Sequence, residues 1–194
     1  MKTENKIIRL FLERKDSMTI REISKQIKSD YRITHTAVKR LADKKVLLST
    51  SVGGSSLCKL NDSYSSFEIY NVENERKEDL LRNKNLLQIY KEVMNKTKSS
   101  FFVFLFFGSY VKGDFTKSSD VDMMFISNEK EFEDKISTIV SLLPVKTHVF
   151  VFSEEEFIRM KDSIKSNVVK EAIESNVILY GVEQYYNLIG KNIS

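Results

Sequence analysis

Apolar positions at helical spacing open the chain, where Ile7, Ile8, Leu10, Phe11 and Leu12 predict an amphipathic helix over Glu4 to Glu13. Thr19 and Glu22 form a capping box for a second, short helix whose apolar positions are Ile20, Ile23 and Ile27. After a turn over residues 28–32, Thr34 is the expected cap of a third helix with Ala37, Val38, Leu41 and Ala42 turned inward. Its outward face is His35, Thr36, Lys39, Arg40 and Asp43. Val46 to Val52 and Ser56 to Leu60 then read as two strands of a hairpin closed at Gly53-Gly54, a dipeptide that takes the positive φ of tight turns.

The second half follows a different plan. Residues 62–75 are polar with isolated aromatics and are expected to join two domains, followed by a charged helix over Arg76 to Lys98 that carries Leu80, Leu81, Leu86, Leu87, Ile89, Val93 and Met94. Apolar strands are predicted at Phe101 to Phe107, Val121 to Ile126 and Val145 to Phe152, with a crossover helix at Lys130 to Leu143. Ser153 and Glu156 box the start of a helix over Glu154 to Lys161. A helix at Val168 to Glu174, a strand at Ile178 to Gly181 and a helix at Val182 to Ile189 complete the pattern. The expectation is an α/β (α+β) chain: a helical domain with a hairpin over residues 1–61, a linker over 62–79, and a mixed sheet flanked by helices over 80–194.

Charge sharpens that division. Residues 1–61 hold 14 Lys and Arg against 6 Asp and Glu, a net +8, so the whole-chain +4 leaves −4 for residues 62–194. A basic head on a mildly acidic body points to a polyanionic partner for the head. The single cysteine, Cys58, can form no internal disulfide. No charged-then-apolar leader is visible, and the longest apolar run, Phe101 to Phe107, is too short to cross a bilayer. A cytoplasmic protein with no membrane partner is expected.

Chemistry concentrates in FFVFLFFGSYVKGDFTKSSDVDMMFI, residues 101–126. With a strand period of two, Asp120 and Asp122 project from one face while Val121 goes the other way. Two carboxylates brought together beside a run of apolar residues are best explained by a hard cation between them, magnesium being the usual choice where phosphates are present. Gly108 ending a buried strand lets backbone approach an anion, Ser109 adds a hydroxyl donor, and Lys112 offers a point charge.

Gly-Ser followed about ten residues later by Asp-x-Asp resembles the signature of the DNA polymerase beta-like nucleotidyltransferase superfamily, in particular its small prokaryotic branch. The resemblance covers roughly Leu80 to Phe152, with Lys112 where many relatives carry an arginine. It implies nucleotide binding at Gly108, Ser109, Lys112 and Ser119, and catalytic, metal-ligating roles for Asp120 and Asp122 with Mg2+ or Mn2+. The expected reaction moves a nucleoside monophosphate from a nucleoside triphosphate to an acceptor hydroxyl on a protein, a small molecule or a nucleic-acid end. Active relatives add a third acid on a neighbouring strand. The strand Val145 to Phe152 contains none, and His148 stands about where that acid would be, a candidate metal ligand or proton acceptor. Glu154, Glu155 and Glu156 are assigned to helix capping and a solvated face.

Three helices followed by a hairpin are similar to a winged helix-turn-helix, across nearly all of residues 4–61. That resemblance implies duplex DNA as the partner, with Thr36, Lys39 and Arg40 as contacts, His35 and Arg32 near the start of the third helix, and the Gly53-Gly54 tip at the neighbouring backbone. Two readings stay open: a DNA-binding nucleotidyltransferase, or a regulator whose catalytically degenerate domain senses nucleotide or joins two copies as a homodimer.

Overall fold

The computed structural model describes residues 2–61, 66–99, 101–116 and 119–191. The chain divides into two compact units, residues 1–73 and 74–194.

In the N-terminal unit the described elements are α1 (Thr3–Arg14), β1 (Met18–Thr19), α2 (Ile20–Gln26), α3 (Tyr31–Asp43), β2 (Leu47–Val52) and β3 (Ser55–Leu60). The strands form one antiparallel sheet in the order β1-β3-β2. The expected capping box starts α2, with Thr19 accepting from the Glu22 amide and Glu22 answering to the Thr19 amide. α3 begins earlier than expected because Asp30 is its cap, accepting from the amides of Arg32 and Ile33 at 2.8 and 3.3 Å. Thr34 lies buried inside the first turn, its hydroxyl donating back to the Asp30 carbonyl. Ile7, Ile8 and Phe11 from α1, Ile23 from α2 and Leu41 from α3 are all fully buried and build this unit's core. β1 is only two residues long and leaves no periodic signal in the sequence.

α4 (Phe67–Leu80) follows, a helix where the sequence pattern gives a polar join; residues 62–65 of that join lie outside the described residues. The long helix expected over Arg76 to Lys98 is broken near residue 83. Asn83 caps a separate α5 (Lys84–Lys96), accepting from the Asn85 and Leu86 amides at 3.0 and 3.4 Å. Then come β4 (Val103–Phe107), α6 (Ser109–Lys112), β5 (Val121–Ile126), α7 (Phe132–Ser141), β6 (Thr147–Phe152), α8 (Glu154–Asp162), α9 (Val168–Glu174), β7 (Asn176–Tyr180) and α10 (Val182–Gly190).

The four strands lie in the order β6-β5-β4-β7. β4 runs antiparallel to both β5 and β7, whereas β5 and β6 are parallel and need the crossover that α7 supplies. One face is dry. Phe104 and Phe106 of β4 and Met123 and Phe125 of β5 pack in one cluster with Leu86, Ile89 and Val93 of α5 and Phe132 and Ile136 of α7. Phe104 and Phe125 stack with ring centroids 4.4 Å apart. Alternation sends Asp122 to the opposite face. Buried Asn176 at the start of β7 donates to the Ala172 carbonyl and the Tyr185 hydroxyl, and its own carbonyl accepts from Arg76 at 2.6 Å. That network fixes the end of the sheet where β4 meets α6, because Asn176 pairs with Phe107 in register.

Candidate active site at the end of the sheet

Gly108 joins β4 to α6 with φ +70° and ψ −152°, a backbone conformation open essentially to glycine alone. A Cβ there would lie 2.1 Å from Asp122 Oδ2, so the glycine also makes room for the carboxylate. Phe107, just before it, pairs with Asp122 across the β4–β5 ladder. This sets Gly108, Ser109 and Asp122 side by side. Gly113 closes the short α6, and Tyr110 stacks on Phe115 at 4.4 Å as the chain leaves it. The Thr116 amide donates to Ser119 Oγ at 2.8 Å and the Ser119 amide donates to the Thr116 carbonyl at 3.1 Å, immediately ahead of Asp120.

The two aspartates share a face, and His148 stands with them. Asp122 and His148 are register partners in the parallel β5–β6 pair. The imidazole Nδ1 lies 3.3 Å from Asp122 Oδ1 and Nε2 lies 3.3 Å from Asp120 Oδ2, so one ring spans both carboxylates. The Asp120 Oδ1 atom is buried with no hydrogen-bond partner. Burial pushes the Asp122 carboxyl above the ordinary aspartate value; hydrogen bonding and charge from His148 pull it back, while Glu171 and Asp120 push it up again.

These donors suit a hard divalent cation. An orphaned carboxylate oxygen beside a second carboxylate, itself packed closely against Gly108, is a donor set that suits magnesium when substrate phosphates and water complete its shell. Among the described residues no three His, Cys, Asp or Glu side chains are arranged to hold a metal ion, so the protein's offering is the aspartate pair.

Glu171 has no counterpart in the sequence reading. It sits on α9, far along the chain, and its carboxylate lies 3.7 Å from Lys112 Nζ while its charge reaches Asp122. Lys112 is therefore tied to an acid beside the Gly-Ser turn. Tyr185 and Tyr186 are buried core residues.

In the N-terminal unit Arg32, His35, Thr36, Lys39 and Arg40 are all exposed on α3. Thr36 spends its hydroxyl on the Arg32 carbonyl at 3.0 Å, and Arg40 lies 3.6 Å from Glu4 of α1. Gly53 and Gly54, with φ +54° and +79°, are the two residues between the last β2–β3 pair, Val52 with Ser55.

Residues 86–175 match the family described as Nucleotidyltransferase domain. No curated protein and no solved structure matches the chain. No helix among the described residues is long and apolar enough to cross a membrane.

Proposed function

We propose that the C-terminal unit transfers a nucleoside monophosphate from a nucleoside triphosphate to an acceptor hydroxyl, and that the N-terminal unit, read as a winged helix, holds duplex DNA. The observation that carries the first part is the placement of Gly108 against Asp122, with Asp120 Oδ1 buried and unpartnered beside it. Gly108, Ser109 and Ser119 cradle the nucleotide, and Lys112 neutralises its phosphates after exchanging Glu171 for phosphate oxygen. Asp120 and Asp122 would hold magnesium or manganese, which supplies charge stabilisation at the attacking and leaving oxygens. In the transfer an oxygen–phosphorus bond to the acceptor replaces the bond to pyrophosphate. For the head, the support is the net +8 of residues 1–61 and the exposed row Arg32, His35, Thr36, Lys39 and Arg40 ahead of a two-glycine hairpin tip.

A specific observation also favours a second reading, a regulator that senses nucleotide without turnover. β6 carries no acid, and the one polar side chain at that register, His148, already engages both aspartates. Titration calorimetry with a nucleoside triphosphate decides whether the site binds: affinity should be higher with magnesium than with chelator, and Asp120→Asn/Asp122→Asn should abolish the difference with the fold intact. Equal affinity in both conditions overturns the site. A labelled-nucleotide transfer assay, with Asp120→Ala as control, separates enzyme from sensor.

A further inference from the structure

The segment that leaves α6 is pinned to the Gly-Ser turn. The Gly113 and Asp114 amides both donate to the Ser109 carbonyl, at 2.9 and 3.2 Å. Gly113 takes φ +81°, which turns the chain back on itself and brings Phe115 to Tyr110. The two rings stack with centroids 4.4 Å apart and planes 9° from parallel. Tyr110 packs against the core cluster that lies between the sheet, α5 and α7, so the pair has a fixed base. Stacking uses one face of the Phe115 ring and still leaves the residue 45% exposed. Among the described residues of this unit the other exposed aromatic is Phe101, which precedes β4 and so stands at the opposite end of that strand from Gly108.

The groups read as meeting phosphates and cation, Ser109, Lys112, Asp120 and Asp122, are polar or charged. They match one half of a nucleoside triphosphate, and its flat, largely apolar base finds no partner among them. Tyr110 follows Ser109 directly, about 3.8 Å along the backbone, so an exposed aromatic face lies within a nucleotide's own length of the phosphate cradle. We infer that the nucleobase of the bound triphosphate stacks on Phe115, the third ring of a column founded on Tyr110. The inference rests on the reading of Gly108, Ser109 and the aspartates as a triphosphate site and adds the base subsite to it. Stacking of this kind accepts every base, because each has a π-face, and grades them by stacking strength.

Calorimetry on the full chain with magnesium compares a purine nucleoside triphosphate with inorganic tripolyphosphate, which has no sugar or base. Phe115→Ala should weaken the nucleoside triphosphate about tenfold and leave tripolyphosphate unchanged. Phe115→Tyr retains the flat face and should bind as the wild type does, whereas Phe115→Leu retains apolar bulk without that face and should bind as the alanine variant does. Thermal unfolding of each variant confirms that it is folded. Unchanged nucleoside triphosphate affinity in Phe115→Ala, an equal loss for tripolyphosphate, or a leucine variant as tight as wild type overturns the stacking platform while leaving the phosphate site in place. A wild-type chain that binds neither ligand overturns the triphosphate reading and the platform together.

Discussion

Gly108 and Asp122 compete for the same volume, and glycine resolves the competition. Gly108→Ala puts a methyl carbon 2.1 Å from Asp122 Oδ2 and demands a left-handed backbone of an L-residue. The backbone strain alone costs about 1–3 kcal/mol, so the variant should unfold at lower temperature, and the displaced carboxylate should weaken magnesium-dependent nucleotide binding. A variant that binds as tightly as wild type would separate the glycine from the metal pair. Asp122 itself is held against its own stability. Its carboxyl is raised chiefly by burial, so the folded state binds a proton more readily than the unfolded one. The sign follows: this group favours folding most below about pH 4, the ordinary aspartate range, and less as pH rises through its raised folded value. Asp122→Asn should therefore raise the unfolding temperature at pH 7, with the gain shrinking as the pH is lowered toward 3, read by calorimetry without metal.

At the scale of elements, what could be read from the sequence depended on whether the signal is local. The capping boxes at Thr19 and Ser153 hold because both partners lie within four residues of each other. The shared face of Asp120 and Asp122 followed from strand period, whereas the place of His148 beside them came from the resemblance, which implies a third ligand on a neighbouring strand. Glu171 was illegible, since its approach to Lys112 depends on where α9 packs, and nothing local in the sequence encodes that. The break between α4 and α5 was missed for a different reason. Apolar residues continue at helical spacing through Leu80, Leu81, Leu86 and Leu87, and the stop comes from a capping side chain, Asn83, rather than from glycine or proline. Asn83→Ala should accordingly cost about 1 kcal/mol, since the Asn85 and Leu86 amides lose their acceptor; chemical denaturation of the variant measures it. No loss would mean that packing of Leu86 and Ile89 alone starts α5.

At the scale of the whole molecule, the two units have opposite charge and separate cores. Ile7, Phe11 and Leu41 close one, and the Phe104 to Phe125 stack lies within the other. A polyanionic duplex suits the +8 of residues 1–61, while the sheet end in the other unit presents aspartates that a polyanion approaches only with a cation present. Substitutions should therefore dissociate in both directions. Asp120→Asn/Asp122→Asn is expected to remove the magnesium dependence of nucleotide binding and leave duplex affinity and its salt slope unchanged. Arg32→Ala/Lys39→Ala is expected to flatten that slope by about two and leave nucleotide affinity unchanged. Both pairs are measured on the full chain, by calorimetry for nucleotide and anisotropy for duplex. If the aspartate pair instead shifts duplex affinity when nucleotide is saturating, the two sites share a coupling free energy, and reciprocity requires duplex to shift nucleotide affinity by the same factor. That result would favour the nucleotide-sensing regulator over the proposed enzyme carried on DNA.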